Sequence, residues 1–402
     1  MKQSMTFTFL TSSALIFLAG CDDGTARDQE LIQQLQNKID VLEQQLSQSS
    51  PGGIANLPTD TMALQQKVME LEKQLSEQNN KTQPLVSETL AQIRQKGYLQ
   101  CGVSTGLPGF SYPNDKGEWN GLDVELCQAV AAAALGDKYM VKYIPLTAKE
   151  RFTSLQSGDI DILSRNTTWT LNRDTALGLN FAGINYYDGQ GFMIHKSLEI
   201  SKATELDGAR ICVQAGTTTE LNLEDYFRFH EIRYTSVPFD TASETVKGFE
   251  AGKCDALTAD QSGLYSLRLH LAEPETAVVL ADIISKEPLG PVVRQGDDLW
   301  FNIVKWTLFT MIQAEELGVS SHNVDDMKAS NDPDILRLIG LSGPKGKGLG
   351  LNDDWSYQVI KQVGNYGESF ERTVGMRSSL KIKRGLNALW SDGGLQYAPP
   401  LR

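Results

Sequence analysis

One pattern occurs twice in this chain. Leu155-Gln-Ser-Gly158-Asp-Ile-Asp161-Ile-Leu163 matches Phe249-Glu-Ala-Gly252-Lys-Cys-Asp255-Ala-Leu257 position by position. Each copy reads as a helix end, a glycine cap and an apolar strand. The surroundings repeat too. Tyr98 to Ser104, Tyr139 to Ile144 and Ile160 to Leu163 have strand character, with Leu122 to Leu135 and Lys149 to Gln156 helical between them. Arg210 to Gln214, Ile232 to Val237 and Ala256 to Thr258 follow the same order, interleaved with Thr217 to Phe229 and Ala242 to Glu250. Such alternation predicts α/β architecture with open, mainly parallel sheets, and its recurrence predicts two lobes. A common αβ connection would write a similar echo by itself. Either way the geometry is the same. Ligands of open parallel sheets bind beyond the strands' carboxyl ends, and two such ends facing each other enclose a cleft.

Charge and residue counts remove several classes. The 402 residues allow two or three domains, and the net charge is −13. An acidic chain without clustered Lys/Arg is a poor match for nucleic acid. Four histidines are scattered, and neither CxxC nor HExxH occurs, so no metal site is expected. Gly343 to Gly350 is glycine-rich but lacks the GK[ST] spacing of a phosphate loop. No cofactor is expected. The apolar run Trp300 to Ile312 is too short to span a bilayer and reads as a buried helix.

The first twenty residues read as an address. Lys2 precedes the apolar Phe7 to Ala19, the pattern of a secretory signal. The sequence Leu18-Ala19-Gly20-Cys21 resembles the bacterial lipobox, whose cysteine becomes an acylated N-terminus. Two or more acyl chains anchor stably where one does not. Asp22 after the cysteine implies retention at the periplasmic face of the inner membrane. Residues 21–95 then read as a helical, coiled-coil-like stalk. Ile32, Leu35, Ile39, Leu42 and Leu46 alternate steps of three and four, as do Leu64, Val68, Leu71 and Leu75. Pro51-Gly52-Gly53 breaks the helix between them. Each run is about two heptads, short for a coiled coil. A spacer and a self-association element both fit. Cys101, Cys127, Cys212 and Cys254 remain, an even number in an exported chain, which suggests two disulfides. Pairing Cys101 with Cys127 and Cys212 with Cys254 keeps each bridge within one lobe.

Polar groups near the expected cleft suit a zwitterion. Ser164-Arg-Asn-Thr-Thr-Trp-Thr-Leu-Asn-Arg173 offers hydroxyls, an amide and a guanidinium able to clamp a carboxylate. Gly216-Thr-Thr-Thr-Glu-Leu opens a helix whose free N–H groups favour an anion. Asp260 closes the second strand end and can accept an ammonium. The alternative is a structural ion pair for Arg173, N-caps for the threonines and a helix cap for Asp260.

The chain resembles the extracellular solute-binding proteins of the polar amino-acid family, family 3, from about residue 90 to 402. The likeness is carried by Cys101-Gly-Val-Ser-Thr-Gly-Leu-Pro-Gly-Phe110, Gly121-Leu-Asp-Val-Glu-Leu126, Ser164-Arg-Asn-Thr-Thr-Trp-Thr170 and Cys212-Val-Gln-Ala-Gly-Thr-Thr-Thr-Glu220. Asp260-Gln-Ser-Gly-Leu-Tyr265, Lys286-Glu-Pro-Leu-Gly-Pro291 and the tail from Arg384 to Pro400 add to it. The subgroup it is most similar to binds L-amino acids broadly for an ABC importer. The resemblance implies a two-lobed periplasmic-binding fold, with 96–191 and 290–402 in lobe 1 and 192–289 in lobe 2. It implies that Arg173 holds the ligand α-carboxylate, that Asn166 and Thr168 hold the α-amino and carboxylate groups, and that Gly216, Thr217 and Thr218 donate from the second lobe. Asp260 takes the α-ammonium. Ser104, Leu107 and Phe110 line the site. Ser104 and Leu107 replace the acid and tyrosine common in binders of basic amino acids. Arg151 is able to reach an acidic side chain, though exposure and helix support are expected of it. The long stalk departs from the subgroup.

The implied partners are a free L-amino acid and an ABC permease, with the membrane reached through the lipid anchor. The chain crosses between lobes near Gly191 to Ile194 and Leu289 to Arg294, making a hinge that ligand binding closes. An amino-acid sensor and a dehydratase-like enzyme on the same fold are the alternatives. Gly102-Val-Ser104-Thr-Gly106 matches a nucleophile elbow, but Leu107-Pro108-Gly109 follows where that motif needs a helix, so no enzyme is expected.

Overall fold

The computed structural model describes residues 23–49, 63, 66–75, 86–343 and 346–402, the side chains of 23–29 and 46–49 aside. The expected signal peptide, Cys21, the Pro51-Gly52-Gly53 break and Leu64 lie outside the described residues, as does the Leu46 side chain. The chain divides into two units, Met1–Pro84 and Leu85–Arg402.

The first unit contains helix α1 (Asp23–Ser49) and helix α2 (residues 66–75). The expected heptad stripe is the covered one. Leu35, Ile39 and Val68 are buried, with Ile32, Leu42, Leu71 and Leu75 half-buried. Val41 and Leu42 of α1 and Leu71 of α2 line one groove, so the helices run side by side there. No described helix is long and apolar enough to cross a membrane.

The second unit alternates strand and helix. In chain order lobe 1 opens with α3 (Glu88–Lys96), β1 (Leu99–Ser104), the short hairpin β2 (Tyr112–Pro113) and β3 (Trp119–Asn120), and α4 (Leu122–Leu135). Then come β4 (Val141–Leu146), α5 (Arg151–Ser157), β5 (Ile162–Leu163), α6 (Leu171–Ala176) and β6 (Leu179–Phe181). β7 (Tyr186–Asp188) crosses to lobe 2, built from β8 (Gln190–His195), β9 (Ala209–Gln214), α7 (Thr218–Phe229), β10 (Tyr234–Phe239), α8 (Ala242–Glu250), β11 (Ala256–Asp260), α9 (Gln261–Arg268) and β12 (Ala277–Val279). β13 (Glu287–Leu289) crosses back to β14 (Val292–Arg294), and helices α10 (Asp298–Glu316), α11 (Pro333–Leu338), α12 (Trp355–Gln362) and α13 (Tyr366–Thr373) finish the chain on lobe 1.

The two sheets are copies in topology. Their orders are β4-β1-β5-β14-β6 and β10-β9-β11-β8-β12. The echoed segments end in β5 and β11, which hold the third place in each. The expectation of mainly parallel sheets holds by strand direction. β4, β1, β5 and β6 run one way, as do β10, β9, β11 and β12, and one strand in each sheet, β14 and β8, runs against the rest. β8 and β14 are the strands by which the chain arrives from the other lobe, and each enters its sheet from the opposite end, which reverses it. The crossings are shifted. Gly191 to Ile194 belongs to β8 inside the lobe 2 sheet, and the crossing segments β7 and β13 pair antiparallel with each other.

α4 is buried on nearly every face. Its Ala131 to Ala134 run, with no bulky side chains, lets α10 and α12 pack closely against it. Trp300 on α10 is buried and donates Nε1–H to the Asp161 carbonyl at 2.9 Å, tying that helix to the sheet. The end of the chain reaches back to the crossing. Asn387 is buried, accepts from Tyr187 N–H at 2.7 Å and donates to Tyr187 O at 3.0 Å. Tyr187 stands opposite Pro288, which has no N–H to give. The Asn387 amide thus serves as a third strand at the hinge edge.

Both disulfides form within single lobes, Cys101–Cys127 and Cys212–Cys254. They close loops of 26 and 42 residues in sequence separation. Removing either by double Cys→Ala exchange is expected to cost about 3–4 kcal/mol of stability, read by denaturant unfolding.

Candidate functional site

A cavity of about 50 Å³ lies between the lobes. Lobe 1 lines it with Ser104 at the end of β1, Leu107, Arg151 on α5, and Arg165, Asn166 and Thr168 beyond β5. Lobe 2 contributes Gln214 at the end of β9, Thr217, Thr218 and Thr219 at the start of α7, Thr245 on α8, and Thr258 to Asp260 of β11. These are the strand carboxyl ends where the repeated pattern puts them. The lobes touch around the cavity. Thr168 and Thr218 hydroxyls lie 3.2 Å apart, and Lys149 Nζ meets Asp240 at 2.6 Å. The structure is the closed form.

Lobe 2 brings an acid to the cavity, Asp260. Asp260 stands at the N-cap position of α9, yet its side chain makes no capping bond. Burial pushes its carboxyl well up, and the charges of Asp188 and Glu287 push the same way, opposed by the Asn166 amide and by Arg151. Asp188, on β7, is pushed up to about 6, chiefly by burial, despite donors from Ser262 and Gly189. Asn166 has a φ of +33°, a left-handed conformation that Asn tolerates better than most residues. Its N–H donates to Asp123 Oδ2 at 2.8 Å, which holds the bend. Its Oδ1 is buried without a partner among the described residues. Asp123 itself is pushed up to about 6, again mainly by burial.

Lobe 1 brings the cations, Arg151 and Arg165. Arg151 opens α5 and is 3 % exposed. Among the described residues its guanidinium has no hydrogen-bond acceptor, and Nε is fully enclosed. Its closest charge-stabilising contact is the Phe152 ring, 4.8 Å away. Burial holds its pKa well down, with further repulsion from Arg165 and Arg173. Arg165 gives Nε–H to Leu146 O at 2.9 Å and is pulled down to about 10, mainly by burial. Arg173 does not line the cavity. It lies directly behind Thr168, donating Nη1–H to the Thr168 carbonyl at 2.8 Å, with Phe152 at 5.2 Å. It stays close enough for Glu287 and Asp260 to act on its charge. None of the three forms an ion pair among the described residues, and a buried cation without one is costly, so together they mark a place suited to an anion.

Several expected residues take other parts. Arg151 is not an exposed helix support, because the first turn of α5 faces the cleft. Phe110 is a core residue of lobe 1, edge-on to Tyr186 at 5.3 Å. The Gly216 N–H is already given to Glu220 Oε2 at 3.0 Å. Gly216 serves closure: at φ +74° it has no Cβ to meet Lys149 Cγ, which would lie 3.0 Å away. Thr217 caps α7 through Glu220 N–H at 3.3 Å while still lining the cavity. Sequence reasoning missed Arg165, Gln214 and Glu287. Arg165 carried a signal, an arginine directly after the apolar strand Ile162–Leu163 and Ser164.

A family profile described as bacterial extracellular solute-binding proteins, family 3, matches residues 99–321. The chain belongs to this family. It is 59% identical over 316 residues to the general L-amino acid-binding periplasmic protein of Rhizobium johnstonii, covering 78% of this chain and 93% of the relative. It is 51% identical over 317 residues to the glutamate/glutamine/aspartate/asparagine-binding protein of Rhodobacter capsulatus, covering 79% and 94%. A periplasmic binding protein of an ABC transporter from Brucella ovis, solved with glutathione bound, superposes with a TM-score of 0.77 at 56% identity, covering 79% of this chain and all of that one. The fold is thus the two-lobed periplasmic-binding fold. This family 3 chain has close relatives that are solute-binding components of ABC transporters, not enzymes.

Proposed function

We propose that this chain is the lipid-anchored substrate-binding component of an amino-acid ABC transporter, capturing free L-amino acids between its lobes and delivering them to the permease at the periplasmic face of the inner membrane. The observation that carries the reading is that Asp260 of lobe 2 and Arg151 of lobe 1 line one closed cavity. An α-amino acid presents an ammonium and a carboxylate at fixed separation. Asp260 takes the ammonium, with Asn166 and Thr168 beside it. The N–H groups at the start of α7 take the α-carboxylate, with the positive charge of Arg173 behind Thr168 adding to the attraction. Arg151 and Arg165 are left for the side chain.

Two guanidinium groups at the side-chain end favour a carboxylate or an amide oxygen there. The names of the Rhodobacter and Rhizobium relatives agree with acidic and amide amino acids within a broad range. The γ-glutamyl end of glutathione, bound in the Brucella structure, carries the same α-amino-acid head. Bridging both lobes, the ligand stabilises the closed state by its differential affinity. Anchoring at Cys21 keeps the lobes near the permease.

The test is a thermal-shift screen of the twenty L-amino acids. A ligand that binds only the native state raises the melting temperature. Glutamate, aspartate, glutamine and asparagine are expected to give the largest shifts, and lysine and arginine the smallest. Shifts with none of the twenty overturn the reading.

A further inference from the structure

Glu287 stands on the crossing strand β13, and the sequence reading gave it no part in the site. It is 1% exposed. Its Oε2 accepts from Thr168 Oγ1 of lobe 1 at 2.6 Å and from Thr218 Oγ1 of lobe 2 at 3.0 Å. Its Oε1 accepts from Asn222 Nδ2 at 2.7 Å and from Ser285 Oγ at 2.6 Å. Four donors on two oxygens fix this carboxylate in place as an acceptor. Both threonines also line the cavity.

A hydroxyl carries one proton and two lone pairs. The Thr168 proton is committed to Glu287. The Thr218 proton goes to Glu287 or to the Thr168 oxygen 3.2 Å away. In each arrangement both protons are used within this trio. What the two hydroxyls can then offer a ligand is lone pairs, and lone pairs accept from an ammonium but cannot donate to a carbonyl or carboxylate. The trio exists only when Thr168 and Thr218, on different lobes, come together, so the acceptor pair is completed as the lobes close.

We propose that Glu287 is a positioning residue that sets the Thr168 and Thr218 hydroxyls as acceptors and thereby makes the closed site select an α-amine over an α-keto group. The proposal rests on the head-group reading above and adds a source of discrimination to it. Asp260 supplies charge for the ammonium. Glu287 denies donors to a ligand that lacks one.

The experiment compares L-glutamate with 2-oxoglutarate, which has a carbonyl oxygen in place of the amine, by isothermal calorimetry. Wild type and the Glu287→Gln and Glu287→Asp variants are measured. A glutamine keeps the size but offers one acceptor oxygen to four donors, so a threonine proton is released toward the cavity. Glu287→Gln is expected to narrow the amine-to-keto affinity ratio by tenfold or more. Glu287→Asp keeps a carboxylate and is expected to keep the preference, even with weaker binding overall. Equal losses for both ligands in Glu287→Gln, leaving the ratio within twofold of wild type, overturn the proposal. So does a Glu287→Asp protein that loses the ratio, which is the readout if the glutamine variant does not fold. Wild type failing to bind glutamate or any other amino acid refutes the functional reading instead, so the two failures are distinct.

Discussion

Arg151→Met is expected to weaken glutamate and aspartate binding by about 2–5 kcal/mol, roughly 30- to several thousand-fold, the usual loss when one partner of a desolvated charge pair is removed. The same substitution is expected to raise the stability of the ligand-free protein. The reason is the state of this guanidinium in the closed form. It is buried, has no acceptor among the described residues, and is repelled by Arg165 and Arg173. Replacing a poorly compensated buried charge with an apolar side chain of similar length commonly stabilises by about 1–4 kcal/mol. Opposite signs in stability and affinity separate a ligand-facing cation from one that supports the helix. Denaturant unfolding and calorimetry on the same protein give both. A variant that is less stable and binds normally would return Arg151 to a structural role.

Asp260→Asn is expected to lose amino-acid binding by a similar factor, since the ammonium then loses the buried carboxylate that pairs with it. The pH dependence of the wild type is the finer check. The Asp260 carboxyl is pushed well up by burial, Asp188 and Glu287, so it holds its proton over a wider pH range than an exposed aspartate. An arriving ammonium favours the ionised form. Binding must then expel a proton wherever the free protein still holds it. The sign follows directly: affinity falls as pH falls, and rises with pH until Asp260 is ionised without ligand. Calorimetry in buffers of different ionisation enthalpy should report proton release for wild type and none from this site for Asp260→Asn. Uptake of a proton, or a flat pH profile, would contradict the assignment.

What could be read in the sequence was whatever local chemistry writes. α4 was expected at Leu122 to Leu135 and spans those residues, because its apolar run is bounded by Gly121 and Gly136. The repeated helix-cap-strand pattern placed β5 and β11, and with them Thr168 and Asp260, at the cleft. The one reversed strand of each sheet was not readable as such. β14 has three residues, too few for a period to show, and the direction of both β14 and β8 is set by the crossing between lobes. Arg151 was seen but misplaced, since a single arginine after Lys149 and Glu150 gives no sign of which way the first turn of a helix faces. Glu287 becomes visible only when two lobes bring Thr168 and Thr218 to the same oxygen. Phe110 erred in the other direction: a large aromatic beside the site packs inward because the core of lobe 1 offers it more contact than the cavity does.

The Asn387 amide on Tyr187 has a consequence for how this molecule is made. The crossing strands are in place once residue 289 has been synthesised, but the group that completes their outer edge comes almost a hundred residues later. Until the final stretch of polypeptide has emerged and docked, the pivot lacks its third partner, so a chain cut short before Asn387 would carry two sound halves swinging on an unfinished joint.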